Sequence, residues 1–286
     1  MPKAKKRRRV SVEQLPPVSL SVNARGFESF PARATTLGAC VTVDNIGVDG
    51  EPVEIGSGAC VSAEGLILTA GHVAPTVGAL RRVSFASGAT FNAKCVKTAA
   101  LYDLALLQVE DGKAARAACR SLPALKVAEQ PAKVKAKLVC VGQPGVRAKQ
   151  RLEANVGKCT AQSKDPLSEQ LEDGGMAHNC PVYAGSSGSP LLLAASGELV
   201  GVHTGFDLNK FEAQAVTLQA VREFLADTAE PCCQGRAKHA GSRTGATARG
   251  ASTEREGADD DGDQSPLPLA ERLMRRRAAA SNARSA

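Results

Sequence analysis

The chain has 286 residues, 43% of them hydrophobic, enough for one sizeable domain with flanks; aromatics are only 3% and Trp is missing, so Val, Leu, Ala and Ile must build the core. The formal net charge is +7, but Lys3, Lys5, Lys6, Arg7, Arg8 and Arg9 supply most of it, which leaves the rest of the chain close to neutral. The start is basic rather than apolar and no run of about 18 apolar residues occurs, so we expect no secretory leader, no membrane span and an intracellular protein, nuclear or cytoplasmic.

In chain order, residues 1–34 lack hydrophobic periodicity and read as a disordered basic arm. A run such as PKAKKRRRV resembles a short nuclear import signal; it would engage an import receptor, hold nucleic acid non-specifically, or remain a solvated tail. From 35 to 227 short apolar runs alternate with Gly, Pro and Asp, the pattern of an all-β barrel domain. Strands are predicted at 38–43, 57–62, 66–69, 81–86, 92–97 and 104–109 for a first barrel. A connection over 111–135 leads to a second barrel from 137–142, 154–161, 176–183, 189–194, 198–204 and 213–218. The period then changes: Leu218, Val221 and Leu225 at i, i+3 and i+7 predict a short C-terminal helix. Residues 228–286 collapse to Gly, Ser, Thr, Arg, Asp and Ala and read as a disordered low-complexity tail.

The nine cysteines lack CxxC metal spacing, and most sit in apolar runs. They read as small buried hydrophobes in a reducing compartment, with Cys232 and Cys233 an adjacent pair in the tail. His178 and His239 have no partner in sequence and read as surface histidines. No phosphate-cradling loop or metal-ligand cluster occurs, so no cofactor is expected.

Chemistry concentrates in three segments. GSSGSP at 185–190 places Ser187 in a sharp bend between glycines, TAGH ends at His72, and YDLALL contains Asp103. A serine hydroxyl is a weak nucleophile near neutral pH and needs a base; histidine has the right pKa, and a carboxylate on its other ring nitrogen selects the useful tautomer. Gly185 and Gly188 would let the N–H groups of Gly185 and Ser187 converge on a developing oxyanion.

The segments GSGACVSAEGLILTAGHV, LYDLALLQV and GSSGSPLLLAASGELVGVHTG together resemble the chymotrypsin-like, or trypsin-fold, serine peptidases, nearest the HtrA/Deg-like and V8-like glutamyl endopeptidase branches. The resemblance implies two six-stranded antiparallel β-barrels with a short C-terminal helix and a site in the crevice between them. It implies a polypeptide substrate and an acyl-enzyme intermediate. In the digestive members an acid precedes the nucleophile and pairs with a newly cut N-terminus; Ser186 stands there, so no such activation is expected. Val73 replaces the cysteine after the histidine, so that disulfide is not carried over.

The resemblance also frames the substrate pocket with Pro181, Val182, His203, Thr204 and Gly205. No acid lies at the pocket base, which argues against Arg or Lys specificity. His203 in the GVH context is either a receptor for an acidic side chain or a structural histidine beside a pocket for small apolar ones. Two functional readings stand: an active endopeptidase, or an inactive peptidase fold used as an interaction module that its basic arm brings to nucleic acid or chromatin.

Overall fold

A computed structural model describes residues 19–21, 33–46, 52–110, 123–145, 151–163 and 175–226. The basic run, the tail 228–286 and residues 111–122 of the connection therefore lie outside the described residues.

Strands β2 (Cys40–Ile46), β3 (Pro52–Cys60), β4 (Leu66–Ala70), β5 (Leu80–Phe85), β6 (Thr90–Ala99) and β7 (Leu104–Val109) close into an antiparallel barrel in the order β2-β3-β4-β7-β6-β5. Alternation sends Val41, Val43, Val83 and Phe85 to one face, while Ile67, Leu68, Leu104, Leu106 and Leu107 are fully buried along β4 and β7. Closure leaves no exposed edge in this half.

The second half uses β8 (Lys137–Gly142), β9 (Arg151–Gln162), β10 (Met176–His178), β11 (Pro190–Leu193), β12 (Leu199–Asp207) and β13 (Glu212–Thr217). β8 pairs with both β9 and β11, which closes a second six-stranded antiparallel barrel. Its core is made of small pieces, among them Cys140, Cys159, Cys180, Ala215, Leu138, Met176 and Leu191, as the scarcity of aromatics requires. Helix α2 (Leu218–Ala226) buries Leu218, Val221 and Phe224. Among the described residues no helix is long and apolar enough to cross a membrane.

Two details depart from the sequence reading. Within the arm expected to lack structure, β1 (Ser19–Ser21) pairs in parallel with β9, and a short helix α1 (Arg33–Gly38) precedes β2. The strand expected over 176–183 ends at His178, because Pro181 has no N–H for a ladder and the chain turns toward Ser187.

Candidate active site

The first barrel places His72 and Asp103 together. β4 and β7 are paired so that Ala70 stands opposite Leu104, which puts the residues just beyond the end of one strand beside those just before the other. His72 sits in a 3-10 turn over Gly71–Val73. The backbone N–H of His72 donates to Asp103 Oδ1 at 2.8 Å, and His72 Nδ1 meets Asp103 Oδ2 at 2.7 Å. The Gly71 N–H donates to the Asp103 carbonyl at 2.8 Å, so both backbone and side chain of the acid face the turn. Asp103 itself has φ of 50°, the left-handed region that Asp tolerates better than most residues.

Hydrogen bonding to Asp103 raises the pKa of His72; burial opposes it, and the negative charge of Asp103 adds to the rise. The imidazole side chain is 49% exposed, so its outer edge faces the cleft.

Ser187 belongs to the second barrel but is docked on the first. Its carbonyl accepts from the Ser57 N–H of β3 at 2.8 Å, and Gly188 N–H donates to the His203 carbonyl at 2.8 Å. Gly188 has φ of 87°, and a Cβ there would come within 2.0 Å of the Ser57 carbonyl oxygen and 2.4 Å of Thr69 Oγ1. No side chain fits between the barrels at this point. A Cβ on Gly56 would likewise lie 2.6 Å from Val73 and 3.3 Å from the Ser187 carbonyl, so the residue after His72 and the candidate nucleophile converge on one glycine.

Within the turn, Ser186 N–H donates to the Tyr183 carbonyl and Ser186 Oγ accepts from the Tyr183 N–H, both at 2.9 Å. The residue that replaces the activating acid of digestive enzymes is thus satisfied locally. Among the described residues, the N–H groups of Gly185 and Ser187 have no acceptor, and no hydrogen bond joins the Ser187 hydroxyl to His72. Two free donors on alternate peptides of a tight turn are what a developing oxyanion requires.

Of the residues expected to frame the pocket, Pro181 is exposed, Val182, Thr204 and Gly205 are half-buried, and His203 is 3% exposed. Thr204 occupies a shift in the β12–β13 register, and a Cβ on Gly205 would meet open space. His178, read from sequence as a surface histidine, is instead fully buried on β10, its Nε2 3.2 Å from His203 Nδ1 with the rings edge to face. Burial drives His178 down to about 3, with the neighbouring His203 adding to the effect; burial likewise holds His203 down to about 4. Both rings are therefore neutral near pH 7. No signal in the sequence pairs them, since 25 residues separate them and only strand packing brings them together.

Residues 56–202 match the family model for the trypsin-like peptidase domain. The chain belongs to the trypsin-like peptidase family. Among solved structures, a serine endoprotease from Yersinia pestis is similar to this trypsin-like chain at a TM-score of 0.56 and 20% identity, over 68% of this chain and 64% of that one. The HtrA-type protease AlgW, solved with a tripeptide, is similar at 0.55 and 21%, over 70% and 62%. This trypsin-like chain thus spans less than two thirds of either structure, and at these identities the likeness establishes the fold. Among curated proteins none matches it in sequence.

Proposed function

We propose that the chain is a serine endopeptidase acting through His72, Asp103 and Ser187. Ser187 Oγ attacks the scissile carbonyl while His72 Nε2 takes the hydroxyl proton, and the N–H groups of Gly185 and Ser187 receive the oxyanion. The C–N bond breaks as His72 returns the proton to the leaving amine, leaving a Ser187 ester. Water activated by His72 hydrolyses that ester and restores the hydroxyl. Asp103 keeps Nδ1 protonated and stabilises the imidazolium at each transfer.

The observation that carries this reading is the double attachment of His72 to Asp103, at 2.8 and 2.7 Å, beside a serine turn with two unused N–H donors. Fluorophosphonate labelling tests it: the wild type should be labelled, and Ser187→Ala and His72→Ala should not. Folded wild type that takes no label would leave the interaction-module reading in its place.

For specificity, a neutral, buried His203 offers no cation to a substrate carboxylate, and Pro181 offers no anion to a basic side chain. The pocket then takes small apolar side chains such as Val or Ala. Cleavage-site profiling with a peptide library that returned Glu would overturn this. The arm carrying Lys3 to Arg9 acts as an import address; fusion of residues 1–12 to a fluorescent reporter that stayed in the cytoplasm would dismiss that role.

A further inference from the structure

Ser57 lies in the first barrel and is 0% exposed, yet its polar atoms serve the second barrel. Its N–H donates to the Ser187 carbonyl at 2.8 Å, and its hydroxyl donates to the Gly185 carbonyl at 2.7 Å while accepting from the Gln143 N–H at 2.8 Å. Its own carbonyl accepts from Thr69 Oγ1 at 2.7 Å, three residues before His72.

Peptide planes in the nucleophile turn alternate in role. The 185–186 plane is held at both ends, its carbonyl by Ser57 Oγ and its N–H by the Tyr183 carbonyl. The 187–188 plane is held the same way, by the Ser57 N–H and the His203 carbonyl. The 184–185 plane before them carries the free Gly185 N–H and the 186–187 plane between them carries the free Ser187 N–H, while the Ser186 carbonyl of that middle plane accepts from the Ser189 N–H at 2.9 Å. Gly185 has φ of 100°, and a glycine rotates out of such a conformation at little steric cost, so nothing local keeps its N–H aimed at the cleft. A partner outside the turn is required. With Ser186 closed onto Tyr183, Ser57 is the residue that supplies it.

The geometry points to Ser57 as a positioning residue for the oxyanion site: its hydroxyl anchors the Gly185 carbonyl inward and so keeps the Gly185 and Ser187 N–H groups aimed together at the cleft. The inference rests on Ser187 being the nucleophile. It assigns to a side chain of the opposite barrel the anchoring that an acid and a cut N-terminus give in digestive peptidases.

The test compares wild type, Ser57→Ala and Ser187→Ala for the second-order rate of fluorophosphonate labelling across pH, and the first two for kcat and KM on a valine p-nitroanilide peptide. Losing one oxyanion donor outright costs about 100- to 1,000-fold, so loosening both should cost about 10- to 100-fold. Ser57→Ala should show that loss in kcat and in labelling rate, with KM within about twofold and the acidic limb of the labelling profile unmoved, because His72 and Asp103 are untouched. A folded Ser57→Ala that labels within about twofold of wild type overturns the inference. So does a loss carried by KM or by a shifted pH limb, which would mark a distorted cleft. Thr69→Val, which frees the Ser57 carbonyl, should show a smaller loss of the same kind and carries the test if Ser57→Ala does not fold. Wild type that takes no label removes the peptidase reading itself, whereas labelled wild type with unaffected Ser57→Ala removes only this inference.

Discussion

Tyr102 donates its phenolic hydrogen bond to Glu223 Oε2 at 3.2 Å, which ties helix α2 to the residue beside Asp103. Lys97, at the far end of β6, reinforces the tie: its ammonium bonds the Phe224 carbonyl and lies 4.5 Å from the Phe224 ring centre. The last helix of the second barrel therefore braces the loop that delivers the carboxylate. Tyr102→Phe removes one such bond, worth about 1 kcal/mol. We expect Tm to fall by about 2–4 °C and labelling to slow by less than tenfold, as read by calorimetry and the fluorophosphonate assay.

Asp103 raises the His72 pKa, and in the proposed mechanism His72 must be neutral to accept the Ser187 proton. The activity of the wild type should thus fall as pH drops through a midpoint above 6.5. Asp103→Asn removes the largest cause of the rise, so the limb should move to lower pH while the plateau drops by about 10,000-fold. A plateau lost without movement of the limb would separate Asp103 from the titration.

The buried His178–His203 pair should make the fold less stable in acid. Both folded pKa values are depressed, so the unfolded chain binds more protons below 6.5. Their contribution is fully present above 6.5 and is lost as pH falls toward about 4 and then about 3. Denaturant titrations at pH 7 and pH 4.5 should show the midpoint falling in the wild type. His178→Leu should flatten that fall, at the expense of some stability at pH 7 because His203 Nδ1 loses its partner.

Two glycines should respond in opposite ways. Gly188→Ala forces a Cβ to 2.0 Å from the Ser57 carbonyl at φ of 87°, and soluble, labelled protein should be lost. Gly205→Ala meets nothing within 4 Å, so Tm should stay within about 1–2 °C while the pocket mouth narrows. The readout is a KM that rises more for larger P1 side chains.

Much of this arrangement was legible in the sequence because it is written locally. The runs 66–69 and 104–109 are short, nearly continuous apolar stretches that start just after Gly65 and Asp103, and they form β4 and β7, while the change of period at Leu218 marks α2. His72 and Asp103 follow from that, since each stands next to one end of a paired strand. His178 and Ser57 were not legible. A lone histidine in an apolar run carries no sign of a partner 25 residues on, and a serine at the start of a predicted strand carries no sign that it links two barrels. The apolar run through Val182 likewise hid the end of β10, where Pro181 breaks the ladder.

The described cysteines, Cys40, Cys60, Cys95, Cys140, Cys159 and Cys180, are all buried. Burial pushes the Cys180 thiol up to about 12 and raises Cys40 and Cys140 as well, so none of these three is a thiolate near neutral pH. Because Cys40 lies in β2 and Cys140 in β8, alkylation of each would clock the transient opening of its own barrel. The protein thereby carries an internal reporter of whether its two halves breathe together or one at a time.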